Sequence, residues 1–137
     1  GIEKVEQDYF IETGSPHYVR ILEQNESVDI VELGKKIRYS EKYKAQGVNV
    51  NTIDQLSDDK IRVATYERGV EDETLSCGTG VTACALLIMN KNEALNEVFV
   101  ETKGGNLKVE AKKEGSGFKD IWLSGPAIKV FDGSIDV

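Results

Sequence analysis

The chain has 137 residues and a mass of 15.1 kDa, the size of one domain around one core. With 39% hydrophobic and 30% charged residues it reads as a folded, globular chain, and 17 basic against 24 acidic residues (net −7) argue against a nucleic-acid or anionic-membrane surface. No apolar run approaches the roughly 20 residues of a membrane helix. Two cysteines and one histidine leave little for a disulfide framework, a zinc centre or a serine triad, so a reducing, cytoplasmic setting is expected.

The chain opens at Gly1-Ile2-Glu3 without an initiator methionine, and its only methionine is Met89. Val5 to Ile11 and His17 to Leu22 are rich in β-branched and aromatic residues and read as two strands around a Gly14-Ser15-Pro16 loop. Asp29 followed by Glu32 resembles a capping box, and Ile30, Leu33 and Ile37 share one helical face, so a helix is expected to run from there to near Ser40. Val48 to Ile53 and Ile61 to Glu67 read as strands joined by a turn at Ser57-Asp58-Asp59. In the second, Ile61, Val63 and Thr65 alternate against Arg62, Ala64 and Tyr66, as in a half-buried strand.

A loop with three acidic residues, Gly69 to Ser76, then leads into Cys77-Gly78-Thr79-Gly80 and the segment Val81 to Met89. That segment is apolar nearly all round, the mark of a helix buried inside the domain. Short strands follow at Val98–Thr102, Leu107–Ala111, Ile121–Leu123 and Ile128–Phe131, punctuated by Gly104-Gly105, Gly115-Ser116-Gly117 and Gly125-Pro126. Gly104-Gly105 reads as a hairpin turn rather than a phosphate cradle, because no helix with a Lys or Ser/Thr signature follows it. The fold class that results is α+β: one domain over residues 1–137, with a curled mixed or antiparallel sheet around a central buried helix and one outer helix.

Cys77 is the first candidate for chemistry. It precedes a helix whose free N–H groups and positive dipole end favour thiolate over thiol. Gly78 and Gly80 lack a Cβ, so a ligand carboxylate could approach those N–H groups closely. The competing reading makes Cys77 a small buried hydrophobe and the glycines a tight turn. Cys84, inside the apolar run, reads as core. A metal site from Cys77, Cys84 and His17 matches no zinc spacing and lacks a fourth ligand. Glu67 could take or hold a thiol proton and Arg68 could clamp a carboxylate, against the plainer reading of an exposed charge pair. His17 and Asn49 each have a plain alternative too, as a satisfied or solvent-facing residue. The Glu71, Asp72, Glu73 cluster reads as a solvated loop.

Several segments together resemble the C-terminal half of the diaminopimelate epimerase family. They are Gly14-Ser15-Pro16-His17, Gly47-Val48-Asn49-Val50-Asn51, Tyr66-Glu67-Arg68-Gly69-Val70-Glu71-Asp72-Glu73-Thr74, Cys77-Gly78-Thr79-Gly80, Gly104-Gly105-Asn106-Leu107 and Gly125-Pro126-Ala127. They follow the family's order over essentially the whole chain, and the stretch from Glu67-Arg68-Gly69 to Gly80 is the most specific. The resemblance implies a cofactor-independent isomerase that inverts one α-carbon of diaminopimelate, an intermediate of lysine and peptidoglycan precursor synthesis. It implies two lobes, each curled around a central helix, with a cysteine from each facing opposite sides of the α-carbon. Cys77 would be the cysteine of this lobe, Glu67 its carboxylate partner, and His17 the helper of the other lobe's cysteine. Asn49, Glu67 and Arg68 would contact substrate, and the N–H groups of Gly78 and Thr79 would hold its α-carboxylate.

Two departures qualify that expectation. Serine stands at position 15 where the family usually has asparagine, which changes any substrate contact there. The N-terminal lobe, with its Cys-Gly-Asn-Gly-type motif, is not in this chain, so the expected object is a domain fragment with negligible epimerase activity alone. Its expected partners are diaminopimelate and the missing lobe, with a homodimer as a further possibility and no metal, nucleic acid or membrane. The competing functions are another amino-acid racemase or dehydratase of the same fold, a non-catalytic carboxylate-binding module, and a single-cysteine hydrolase driven by His17.

Overall fold

The computed structural model describes residues 1–126 and 133–136. The expected strand at Ile128–Phe131, and Ala127 of the Gly-Pro-Ala motif, lie outside the described residues. The chain begins with a hairpin of β1 (Ile2–Val5) and β2 (Asp8–Glu12), followed by β3 (Pro16–Ile21), so the expected first strand is two strands and a turn. Glu6 takes φ +57° at that turn, a conformation that its side chain does not advertise. Asp8 is buried and ties β2 to β3 by accepting hydrogen bonds from the Tyr18 hydroxyl and, at 2.9 Å, from Arg20 Nη2.

Helix α1 (Ile30–Arg38) starts where the cap signal places it: Asp29 Oδ1 accepts from the N–H groups of Val31 and Glu32 at 3.0 and 3.2 Å. Its buried stripe is Ile30, Leu33, Gly34 and Ile37. Strands β4 (Asn49–Ser57) and β5 (Lys60–Glu67) form the central antiparallel pair, and β6 (Asp72–Thr74) adds to β5 from the segment expected to be loop. Helix α2 spans Gly78–Lys91. Strands β7 (Glu97–Thr102), β8 (Gly105–Glu114) and β9 (Gly117–Ser124) continue the sheet, the last two longer than their apolar stretches because pairing continues through charged residues. The turn at Gly104 joins β7 to β8, as expected.

Among the described residues nine strands join one mixed sheet in the order β1-β2-β3-β4-β5-β7-β8-β9, with β6 beside β5. Its two parallel pairs, β3/β4 and β5/β7, are the ones that α1 and α2 bridge, since a parallel neighbour needs a long crossover. Alternation along each strand then divides the core. Val19, Ile53, Ile61 and Val63 face α2, whereas Tyr18, Val50 and Tyr66 lie under α1. Tyr66, expected on an exposed face, is therefore fully buried. Gly34 lets α1 approach it: a Cβ there would fall 2.2 Å from Tyr66 Cγ. Helix α2 is buried from Val81 to Met89 except at Thr82, and the sheet curls around it as the sequence suggests.

Candidate functional site

At the N-terminal end of α2, Cys77 is extended (φ −124°) and makes no side-chain capping bond. The first closed helical bond is Val81 N–H to Cys77 O at 2.8 Å. Among the described residues, the N–H groups of Gly78, Thr79 and Gly80 have no hydrogen-bond acceptor, so the positive end of the helix is unfilled, with Gly78 and Thr79 exposed and Gly80 buried. Neither Gly78 nor Gly80 takes a positive φ, so neither is there to make a left-handed turn. Gly80 serves close approach instead: a Cβ would lie 2.5 Å from Asn51 Oδ1 and 3.3 Å from His17 Cε1.

The residues beneath this helix end come from the parallel pair β3/β4. The pairing sets His17 beside Asn49 and Val19 beside Asn51, and β5 adds Thr65 opposite Asn51. His17 is fully buried, with Nε2 2.9 Å from Thr79 Oγ1 and 3.1 Å from Ser15 Oγ. Ser15 Oγ and Thr79 Oγ1 are 3.0 Å apart, and Thr79 Oγ1 lies 3.5 Å from Cys77 Sγ. On the other side of the ring, Nδ1 meets Asn51 Nδ2 at 3.0 Å. Burial, and then the charge of Arg68, lower the His17 pKa from 6.5 to about 4, so the ring is neutral at physiological pH. Asn49 is also buried: its Oδ1 accepts from the Arg68 backbone N–H at 2.7 Å and its Nδ2 reaches Ser15 Oγ at 3.4 Å.

Cys77, Thr79, His17, Ser15 and Asn49 thus converge, although they span residues 15 to 79 of the chain. The side chains of Glu67 and Arg68 do not join them. Glu67, half-buried at the end of β5, makes no hydrogen bond to Cys77 among the described residues, and Arg68 Nη1 is turned to the Gln46 carbonyl at 3.0 Å. Three contributors were not singled out from sequence. They are Asn51, Thr65, and Thr13, whose hydroxyl donates to the Thr79 carbonyl at 3.0 Å. The signal for Asn51 was its place two residues after Asn49, which puts both on the same face of β4.

Three other readings meet the structure here. Cys84 is fully buried among the α2 core residues, and burial, with Cys77 nearby, pushes its thiol up, as expected for a structural cysteine. The acidic loop needs correcting, because Glu71 is a structural node rather than a solvated side chain. Its carboxylate accepts from Arg38 Nε at 3.1 Å, the Tyr39 hydroxyl at 3.1 Å, the Tyr66 hydroxyl at 3.0 Å and the Gly69 N–H at 3.1 Å. His17 does not touch the sulfur. Its Nε2 reaches Thr79, and Thr79 reaches Cys77, which is the wrong arrangement for a histidine-activated hydrolase thiol. The arrangement instead suits an acid: unfilled N–H groups for a carboxylate, with a thiol at their edge.

A cleft of about 510 Å³ opens beside α2 between the two ends of the sheet, lined by Ile11, Thr13, Thr82, Leu86, Phe118 and Ile121. Next to it, Ile121, Trp122 and Leu123 of β9 are exposed, Trp122 by 68%. Among the described residues no helix is long and apolar enough to cross a membrane.

Comparison with known proteins gives this geometry a family. The chain is 43% identical to a diaminopimelate epimerase of Flavobacterium psychrophilum over 127 residues, covering 92% of this chain and 50% of that protein. It is 42% identical to the Aquifex aeolicus enzyme of the same name over 128 residues, covering 92% of this chain and 45% of that one. The chain therefore spans about half the length of the curated relatives it matches. Among solved structures, a protein described as a predicted epimerase from Pseudomonas aeruginosa superposes with a TM-score of 0.58 at 15% identity, over 77% of this chain and 36% of that one. A phenazine biosynthesis protein of the PhzF family from Enterococcus faecalis gives 0.52 at 15% identity, over 73% and 35%. Those two likenesses speak for the fold alone. The diaminopimelate epimerase family model matches residues 9–130, nearly the whole chain, and the chain belongs to that family.

Proposed function

We propose that the chain is one lobe of a two-lobe, cofactor-independent epimerase that interconverts LL- and meso-diaminopimelate, with Cys77 carrying the proton on one face of the α-carbon. The observation that carries this reading is the thiol of Cys77 beside the three unfilled N–H groups of α2. An amino-acid α-proton is very weakly acidic, so a thiolate removes it only where the developing carbanion is stabilised. Hydrogen bonds from Gly78 and Thr79 N–H to the substrate carboxylate take up that charge, and closure by a second lobe excludes water. The α-carbon's C–H bond breaks as an S–H bond forms on one cysteine. The other cysteine, from the second lobe, gives its proton to the opposite face. Asn49 and Ser15 meet the remaining polar groups of the substrate. The family resemblance further assigns Arg68 to the substrate, Glu67 to the substrate and the Cys77 thiol, and His17 to the facing cysteine. That requires the Glu67 and Arg68 side chains to turn in from the positions they hold here.

The exposed strip Ile121, Trp122 and Leu123 and the adjoining cleft are the surface we assign to the second lobe. Alone, the chain supplies one thiol of two and leaves the site open, so its own turnover is negligible. The test mixes this chain with a separately made N-terminal lobe in D₂O and follows the α-proton of diaminopimelate by NMR. Exchange in the mixture alone, lost with Cys77→Ala, is the expected result. No exchange with both lobes folded and associated would contradict the reading and leave a carboxylate-binding module, and turnover by the chain alone at the mixture's rate would overturn the need for two lobes.

A further inference from the structure

The imidazole of His17 is gripped on both edges, and the grip at Nδ1 has a direction. Asn51 Oδ1 accepts from the Thr65 hydroxyl at 2.8 Å, while Asn51 Nδ2 lies 3.2 Å from the Tyr18 backbone carbonyl. A carbonyl only accepts, so the amide nitrogen, not its oxygen, faces Tyr18. The same nitrogen is the atom 3.0 Å from His17 Nδ1. An amide nitrogen donates and has no lone pair to offer, so Nδ1 is the bare, accepting nitrogen. The proton of the neutral ring then sits on Nε2, directed at Thr79 Oγ1 and Ser15 Oγ.

That assignment propagates. A threonine hydroxyl has two acceptor lone pairs and one proton. Thr79 Oγ1 accepts from His17 Nε2–H and has Ser15 Oγ 3.0 Å away. Ser15 Oγ receives Asn49 Nδ2–H on one lone pair; either hydroxyl of the Ser15–Thr79 pair can be the donor, and Ser15 is the donor to Thr79 in the arrangement proposed below. With both lone pairs occupied, the Thr79 proton has one remaining neighbour among these atoms, Cys77 Sγ at 3.5 Å. The opposite tautomer would reverse this: a bare Nε2 would draw the Thr79 proton to itself and away from the sulfur. Gly80 is what lets the assembly close, since a Cβ there would strike the Asn51 amide.

We propose that Asn51 is a positioning residue that holds His17 as its Nε2–H tautomer and so turns the Thr79 hydroxyl toward the Cys77 sulfur. The direction of the bond from Asn51 to His17 Nδ1 stands on geometry alone, while those from Ser15 to Thr79 and from Thr79 to Cys77 are part of the proposal. Its meaning for proton transfer rests on the epimerase reading above, in which a donor to Cys77 Sγ favours the thiolate.

His17 is the only histidine in the sequence, so the imidazole region of a ¹⁵N NMR spectrum of the full chain holds one ring. At neutral pH the long-range ¹H–¹⁵N pattern is expected to show a protonated Nε2 and a bare Nδ1, with a scalar coupling across the hydrogen bond from Asn51 Nδ2. A protonated Nδ1 in the unmodified chain would overturn the proposal, whatever any variant does. Asn51→Asp keeps the shape but replaces the donor with an acceptor, and is expected to place a proton on Nδ1; a ring still bare at Nδ1 would contradict the role of Asn51. The last link is read by iodoacetamide alkylation of Cys77, which is 7% exposed against 0% for Cys84, with Cys77→Ala giving the background rate. Thr79→Val is expected to slow it about ten-fold, the effect of losing one hydrogen bond to a charged sulfur, with Thr79→Ser restoring it. An unchanged rate in Thr79→Val would remove that link. None of these readouts needs turnover, so a failure of the epimerase reading stays separate from a failure of this one.

Discussion

The two helices begin in opposite ways. Helix α1 is finished from within: Asp29 fills two of its first N–H groups, Glu32 sits in its first turn, and Lys35, Lys36 and Arg38 lie in its last. Helix α2 has a cysteine at its cap that bonds none of them and no acidic residue in its first turn. A helix left open in this way needs stability from elsewhere, and α2 has it in the nearly continuous burial of Val81 to Met89. The outer helix is closed and amphipathic. The inner one leaves its first N–H groups unfilled and is held by its buried length and by the polar contacts that Thr13, Ser15 and His17 make to Thr79.

Each helix also carries one glycine that sets its distance from the sheet, and substituting these gives the largest expected effects. In Gly34→Ala the new methyl would lie 2.2 Å from Tyr66 Cγ, and in Gly80→Ala 2.5 Å from Asn51 Oδ1. Both are expected to lose about 1–3 kcal/mol to overpacking in denaturant titrations. Only Gly80→Ala should also disturb the His17 ring signals, and a change in that ring with Gly34→Ala would blur the distinction between the two ends.

The polar nodes beside the helices are expected to titrate in different windows. The unfolded chain protonates His17 near 6.5, whereas the folded chain resists until about 4, so stability is full above 6.5 and falls as the pH drops through that interval. The loss is on the order of 3 kcal/mol and should vanish in His17→Gln. Beside α1, burial pushes the Glu71 carboxyl up, but Gly69 N–H, the Tyr66 and Tyr39 hydroxyls and Arg38 together hold it below 4.5. Its contribution is present above 4.5 and is lost only as the pH falls further, through the folded-state value. Stability curves of the two variants, Glu71→Gln and His17→Gln, against pH separate these windows; coincident curves would refute the assignment.

The smallest effects are at the caps themselves. Asp29→Ala should cost about 1 kcal/mol, while Cys77→Ser should change stability by less than about 1 kcal/mol, since serine can supply the capping bond that cysteine does not make. A large loss in Cys77→Ser would mean that the thiol is structural.

What the sequence made legible follows the same division. Asp29 with Glu32 located α1, and the all-round apolar run located α2, because caps and periodicity are local signals. The turn at Glu6 and the inward carboxylate of Glu71, at φ +57° and +58°, were hidden because glutamate carries no turn signature. Cys77 could be weighed from its neighbours alone. That His17 and Asn51 lie under the helix it begins depends on the parallel pairing of β3 with β4, which no local pattern announces. The family resemblance, rather than spacing, brought His17 and Asn49 together with Cys77, and Asn51 was visible only as part of a quoted segment.

The most direct test of the central claim uses the unfilled helix end itself. Diaminopimelate would be titrated into the ¹⁵N-labelled chain, with the already bonded amides of Val31 and Glu32 as the internal control. The account predicts saturable shifts of the Gly78, Thr79 and Gly80 amides that 1,5-diaminopentane, which lacks carboxylates, does not cause. Shifts that 1,5-diaminopentane causes equally, or a folded chain whose Gly78, Thr79 and Gly80 amides stay still at high ligand, would contradict it.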